Sequence, residues 1–439
     1  MGRHDTSPEV RENRDGTSKM LPNFRDSVLV LTAMLVAAGV LAAQRRDAFV
    51  ETRQHPAIQY GTARTSDPIA ALNAAVAAGK VRLQFNPVSG YLRSVLDALN
   101  VPVASQALVF SQTSFQAPKI RMHNPRAIYF SDTVSVGWVR DGDILELAAL
   151  DPRQGVIFYQ LEQTPAAKPQ FVRNDSCLSC HLAWETLGVP GLIVQSVHPL
   201  RNDREYVNGY TTIHGSPFDQ RWGGWWVTGN TGGAKHIGNI SVMWNDKGSK
   251  LANPLAPLKS VEGLFDLKGY PSAHSDVVAM LVLAHQTHMT NLITRTGWEA
   301  RVAAAKPSPD AELRVRDAAR DLVDYLLFID EEPLPGPVQG SSGFADVFAA
   351  QGPRDSKGRS LREFDLRRRI FRYPCSYMIY TEAFDALPAA AKDAVYSRMW
   401  EVLSGREKGP RYAVLSAADR QAIVQILRET KKNLPTYFR

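Results

Sequence analysis

Cys177, Cys180 and His181 carry the clearest chemical signal in the sequence, because together they form a CxxCH motif. Two thiols at this spacing can each bond to one of the two vinyl groups on a haem edge, and the histidine that follows is then placed to bind the iron. The motif predicts one covalent haem c, with Cys177 and Cys180 as attachment points and His181 as the proximal iron ligand.

Three other chemistries share part of this spacing. A thioredoxin-like redox pair belongs in an early βαβ context, whereas this motif follows the irregular stretch Thr164–Pro169. A zinc knuckle needs two further Cys or His residues at paired spacing, and the sequence contains no second CxxC. A structural disulfide between Cys177 and Cys180 is the third alternative.

A sixth iron ligand must come from elsewhere in the chain, unless that face of the iron is open. Either His214 or His236 is the predicted distal ligand, and the thioether of Met243 is an alternative. The competing interpretation makes either histidine a hydrogen-bonded structural residue and Met243 part of a strand core.

Between the two histidines lies the aromatic stretch Arg221–Trp226, with the sequence RWGGWW. Its rings and close-approach glycines suit the wall of a flat macrocycle, so Trp222 and Trp225 are predicted to contact the haem. Arg221 is predicted to pair with a haem propionate, because a guanidinium binds carboxylates with two parallel hydrogen bonds.

A second group of histidines comprises His274, His285 and His288, with Asp276 nearby. On one continuous helix the three imidazoles would lie within about 60° of one another, facing a haem edge or binding a metal. We favour a structural interpretation, in which His274 and Asp276 lie at a helix N-terminus while His285 and His288 form hydrogen bonds in the core.

The composition is that of an ordinary globular protein, with 44% apolar and 22% charged residues among 439. The net charge of +7 is spread thinly, so no nucleic-acid partner is expected. Only three cysteines are present, which excludes a disulfide scaffold. The third, Cys375, is predicted to be an inert buried thiol among tyrosines.

The N-terminus indicates export. Residues 1–27 form a polar tail that we place in the cytoplasm, and residues 28–44 are an apolar transmembrane anchor or signal segment. Residues 45–65 are predicted to be a tether. Since haem c is attached outside the cytoplasmic membrane, the bulk of the chain is expected in the periplasm of a bacterium, held at the inner membrane.

The remaining sequence predicts an α+β fold with two regions. Residues 66–255 form a β-rich haem-binding region, in which short β-branched and aromatic segments alternate with Gly, Asn, Asp and Pro. Residues 256–439 are mostly α-helical. Four long helices are expected there: 275–296, 310–329, 385–403 and 417–430.

The chain resembles a group of exported, membrane-anchored bacterial cytochrome c proteins with a single CxxCH. The resemblance implies haem binding and electron transfer, without a substrate. It covers most of the chain after residue 80 and is carried by these segments: Asn124–Phe130, Val136–Trp138, Cys177–His181, Arg221–Gly229, His274–Asn291 and Phe371–Tyr377.

The leading hypothesis is a membrane-tethered monohaem cytochrome that passes single electrons to a redox partner protein. One alternative is a haem enzyme with an open distal site acting on peroxide, nitric oxide or a small substrate. Another is a haem-based redox or gas sensor, or a complex-assembly module. The large helical region is more than one haem needs, which suggests a subunit of a larger complex.

Overall fold

A seven-stranded antiparallel sheet forms the centre of the β-rich region, with strand order β6-β5-β4-β3-β2-β1-β9. Successive side chains point to opposite faces, and both faces are largely covered, since β1 is buried throughout and β5 begins with five consecutive buried residues. The strands of this sheet are β1 Ala107–Val109, β2 Arg126–Phe130, β3 Val134–Trp138, β4 Ile144–Asp151, β5 Gly155–Glu162, β6 Val172–Arg173 and β9 Trp225–Trp226. Three two-stranded pairs accompany it: β7 Gln195–Ser196 with β8 Tyr210–Thr211, β10 Asn230–Thr231 with β13 Val338–Gln339, and β11 Val242–Asn245 with β12 Gly248–Leu251.

The structure is a computed structural model that describes residues 53–197, 209–239 and 257–438, and the backbone of 242–245 and 248–251. The predicted tail 1–27 and apolar segment 28–44 lie outside these residues, as does the side chain of Met243. Among the described residues, no helix combines the length and apolar character needed to cross a membrane.

Helices precede the sheet and dominate the chain after it. Buried aspartates begin two of them, since Asp67 caps α1 and Asp276 caps α4 by accepting hydrogen bonds from backbone N–H groups of the first turn. The helices are α1 Pro68–Ala77, α2 Leu92–Ala98, α3 Leu178–His181, α4 Val277–Ala305, α5 Pro309–Leu326, α6 Phe344–Ala349, α7 Glu382–Asp385, α8 Ala389–Leu403 and α9 Ala417–Thr430.

The two faces of the sheet have different neighbours. One face packs against α1 and α2, whose Leu72 and Leu92 join a core with Tyr129 and Trp138. On the opposite face, Phe130 and Leu150 belong to the core built around α4 and the later helices. The CxxCH segment lies over another part of this second face. We call the whole second face the motif face.

The predicted α+β class, with a β-rich region followed by helices, is confirmed. The structure differs at the expected helix 385–403, because α7 ends at Asp385 and α8 begins only at Ala389. Pro388 has no N–H to donate and precedes the first turn of α8. The described residues belong to one compact unit. Within the predicted tether, Ile58 and Tyr60 are buried in the core.

Candidate functional site

The CxxCH motif occupies a single helical turn. Cys177 is the N-cap of α3, which ends at His181. The side chain of Asn174 accepts a hydrogen bond from Ser176 N–H at 3.0 Å and so fixes the approach to this turn. Both motif cysteines are free thiols; Cys177 is partly buried and Cys180 is exposed. Residues three positions apart on a helix lie on the same side, so both sulfurs are available to one flat group.

Of the two ring nitrogens of His181, Nδ1 has a hydrogen-bond partner and Nε2 has none among the described residues. Its Nδ1 lies 2.9 Å from the carbonyl oxygen of Gly191. A carbonyl oxygen only accepts, so Nδ1 carries the proton and Nε2 keeps a lone pair. Burial lowers the pKa of His181, which keeps the imidazole neutral. This tautomer and orientation are those of a metal-binding histidine, whose other nitrogen donates to a carbonyl.

The motif rests on a strand of the sheet. The ring of His181 packs on Phe158 of β5, with centroids 4.7 Å apart. Cross-strand partners in an antiparallel sheet share a face, so Phe158 shares the motif face with Ala148 and Ser135, which follow it in register. Ala148 and Ser135 are small, and Ala148 is buried with Phe158 in one core cluster.

A second row on the motif face runs through Ile128, Gly137, Glu146, Gln160 and Val172. Gly137, the second residue of this row, adds no side chain to the face. Toward the edge strand the row becomes polar at Glu146 and Gln160. At the edge strand itself, Val172 is 51% exposed.

Two further apolar side chains near the motif are exposed. Phe115, at 57%, follows Ser114, whose hydroxyl donates to Glu146 of the motif face at 2.8 Å. Trp184, at 59%, lies three residues after His181. Two free thiols and the Nε2 atom of His181 on one helical turn fit a haem attached at the motif.

A charged pair lies beside the imidazole. Arg126 Nη1 is 3.0 Å from Glu146 Oε2, with the side chains 18% and 21% exposed. Arg126 Nε is buried and has no hydrogen-bond partner among the described residues. Both charges act on the pKa of His181, Arg126 lowering it and Glu146 raising it. Arg126 therefore provides a cation with an unused donor on the motif face.

The structure also bears on the alternatives to haem. Burial, followed by the charge of Glu146, raises the pKa of Cys177 to about 11. A thioredoxin-like pair instead depends on a lowered thiol pKa, so the surroundings of Cys177 do not favour that chemistry. Within the described ranges, no group of three or more His, Cys, Asp or Glu side chains is arranged to hold a metal ion.

His214, one predicted distal ligand, lies in the core beside the later helices. Its Nδ1 is 2.9 Å from Nδ1 of His285 on α4, and the two rings are within 10° of coplanar. Tyr325 stacks on His214 at 3.8 Å, and His285 Nε2 lies 2.8 Å from the hydroxyl of Ser376. Burial lowers the pKa of both histidines, that of His285 to about 3. We call His214 and His285 the histidine pair.

His236, the other predicted distal ligand, packs edge-on against Trp222 with centroids 5.1 Å apart. Its Nδ1 accepts a hydrogen bond from Gly238 N–H at 3.1 Å, and burial lowers its pKa to about 4. Trp222 and Trp225 are both buried in the core shared with α4. The assignments of His236 and the two tryptophans to a haem site stay predictions.

Arg221 is buried in a loop that it holds together. Its Nε donates to Ser216 O and its Nη2 to His214 O, both at 2.8 Å, and its guanidinium lies over the ring of Phe218. These contacts explain why a charged side chain is buried here. Its pairing with a propionate stays a prediction, while Arg126 offers the same chemistry on the motif face.

The second histidine group is divided between locations. Asp276 caps α4, which starts at Val277, so His274 precedes the helix. His285 belongs to the histidine pair, and His288 packs against Tyr325 with its Nδ1 buried and without a partner among the described residues. Cys375 is fully buried.

Sequence reasoning missed Arg126, Glu146, Gly191 and Asn291. A signal existed for the first two, because each is a charged residue within a strand segment that is otherwise mainly apolar. Nothing local marks Gly191 or Asn291, which meet only in the folded chain.

The comparisons with known proteins add no further assignment. No protein-family model, curated protein or solved structure matches the chain.

Proposed function

We propose that the chain is a monohaem c-type cytochrome that transfers single electrons. The observation that carries this proposal is the tautomer of His181, whose Nδ1 is held by Gly191 O at 2.9 Å beside two free thiols on one helical turn. A haem bound here supplies one-electron iron chemistry. The proposal includes export through the segment 28–44, which leaves the bulk of the chain periplasmic and held at the inner membrane.

Each part of the site has a separate role in this proposal. Cys177 and Cys180 fix the group by thioether bonds, and His181 presents Nε2 to the iron. Phe158 supports the imidazole from below, while Arg126 balances negative charge at the periphery. The apolar residues around the motif limit contact with water, which affects the potential of a haem.

The test is covalent haem attachment in the full chain, produced together with a bacterial c-type maturation system. We expect a haem-stained band after denaturing electrophoresis and a c-type pyridine haemochrome spectrum with one haem per chain. Cys177→Ala with Cys180→Ala should lose the stain. Cys375→Ala is the matched control and should keep it, since Cys375 lies in the core. An unstained wild-type chain with both sulfurs unmodified would reject the proposal.

A second candidate function is a haem enzyme or sensor with an open iron face. The observation that favours it is the histidine pair, in which His214 is held edge-on by His285 rather than left free. An open face binds small ligands, so cyanide or carbon monoxide would shift the absorption spectrum of the mature protein. A low-spin spectrum that neither ligand changes would instead support electron transfer alone.

A further inference from the structure

Asn291 on α4 makes a pair of hydrogen bonds to the backbone of Leu192. Its Nδ2 donates to Leu192 O at 2.8 Å, and its Oδ1 accepts from Leu192 N–H at 2.9 Å. Asn291 is buried, so both bonds form away from bulk water, where leaving a polar group unpaired is costly. The side chain therefore fixes the position of Leu192 relative to α4.

The neighbour of Leu192 is Gly191, which is bonded to His181 twice. Gly191 O accepts from His181 Nδ1, and Gly191 N–H donates to His181 O at 3.0 Å. A Cβ on Gly191 would lie 2.3 Å from Asn291 Oδ1 and 3.0 Å from Thr186 Cβ. Only glycine allows the loop to approach α4 this closely. Asn291, Leu192, Gly191 and His181 thus form one continuous set of contacts.

We propose that Asn291 is a positioning residue for His181, acting through Leu192 and the carbonyl of Gly191. The inference rests on the proposed function, in which Nε2 of His181 binds iron. A carbonyl held against Nδ1–H fixes the rotation of the ring and increases its basicity, which favours the ferric state. The helical region thereby adjusts the redox potential of a site that lies on the sheet.

The chain contains a matched control for this arrangement. Asn73 on α1 makes the same pair of hydrogen bonds with the backbone of Phe171, both at 3.1 Å. Asp67, the N-cap of α1, accepts a hydrogen bond from Tyr159, whose side chain lies on the sheet face opposite Phe158. No hydrogen bond joins Phe171 to His181 in the described structure. The two asparagines therefore share a hydrogen-bonding pattern and differ in whether the backbone they hold leads to the imidazole.

The experiment measures the midpoint potential of the haem-loaded full chain by spectroelectrochemical titration. We expect Asn291→Ala to make the potential more positive, with a change on the order of tenfold in the equilibrium constant of the one-electron couple, or roughly 59 mV. Asn73→Ala should leave the potential at the wild-type value. Thermal unfolding of both variants checks that a loss of stability alone does not move the potential.

Gly191→Ala tests the same contact from the loop side and decides the question if Asn291→Ala does not mature. Its Cβ would displace the loop from Asn291, so its potential should also rise. The inference is overturned if the potential of Asn291→Ala, or of Gly191→Ala where only that variant matures, matches that of Asn73→Ala. Failure of the proposed function is distinguishable, because the wild-type chain would then carry no covalent haem at all.

Discussion

Histidine side chains serve opposite purposes on the motif face and in the histidine pair. On the motif face, His181 gives Nδ1 to a backbone carbonyl and leaves Nε2 free, next to an exposed cysteine. In the histidine pair, the two Nδ1 atoms bind each other, and His285 Nε2 is taken up by Ser376. On the motif face a lone pair is left for a ligand, whereas His285 has both ring nitrogens hydrogen-bonded inside the core.

The difference shows that the hydrogen-bond partner of the second ring nitrogen, more than burial, decides whether a histidine can bind a metal. Burial lowers the pKa in both places, so both sites hold neutral imidazoles at neutral pH. A neutral imidazole is a potential metal ligand only if one nitrogen remains unbonded. Substituting one histidine at each site in turn tests this difference.

The largest expected effect is on stability, when the pair is truncated. In a haem-free Cys177→Ala, Cys180→Ala background, His285→Ala should cost about 3 kcal/mol, because it leaves a cavity and unpairs His214 and Ser376. His181→Ala should cost about 1 kcal/mol, since it removes one hydrogen bond from a partly exposed site. Urea unfolding measures both.

In the haem-loaded chain, the substitution at His181 should have the larger effect on the absorption spectrum, although it has the smaller effect on stability. His181→Ala should change the absorption spectrum, because it removes an iron ligand, and His285→Ala should not. A spectral change in His285→Ala as large as that in His181→Ala would contradict the division between the two sites.

A smaller effect is expected on the pH dependence of stability. The histidine pair has pKa values below 6.5, that of His285 at about 3. Between pH 6.5 and 3 the unfolded chain therefore binds protons that the folded chain does not, so stability falls as the pH falls. The slope should be about 1 kcal/mol per pH unit for each histidine.

Urea unfolding between pH 6.5 and 5 measures this slope before most carboxylates titrate. His285→Gln removes one of the two imidazoles and should make the loss of stability on acidification less steep. A variant as acid-sensitive as the wild type would show that the pair does not hold its imidazoles neutral.

The smallest effect is expected at Arg126. Removing a cation near the iron favours the ferric state, so Arg126→Gln should lower the midpoint potential by roughly 30 mV, a threefold change in the one-electron equilibrium. Arg93→Gln is the control, because Arg93 forms an exposed ion pair with Asp97 on α2. Equal potentials in the two variants would remove Arg126 from the site.

Local patterns in the sequence predicted much of the fold. The segments around β2, β3 and β5 and helices α1, α4, α5 and α9 have the apolar periods and end signals of their structures. Strand β4 lies within the predicted β-rich region, although Ala148 and Ala149 have little strand propensity; its pairing with β3 and β5 decides its conformation. The start of α8 was not predicted, although Pro388 is a local signal for it.

The candidate site likewise contains residues that the sequence predicted and residues that it did not. Cys177, Cys180 and His181 were found because their spacing is contained in five consecutive residues. The bond between Asn291 and Leu192 joins residues 99 apart, and that between His214 and His285 joins residues 71 apart. Neither pairing has a local signature, since each depends on how α4 packs beside the loops that precede it.

The strand order has a consequence for how the chain folds after export. Strand β1 pairs on one side with β2 and on the other with β9, which follows the CxxCH motif in the chain. If the chain crosses the membrane N-terminus first, the sheet lacks its last strand until residues 225–226 have crossed. The motif therefore reaches the outer side of the membrane before the sheet beside it is complete.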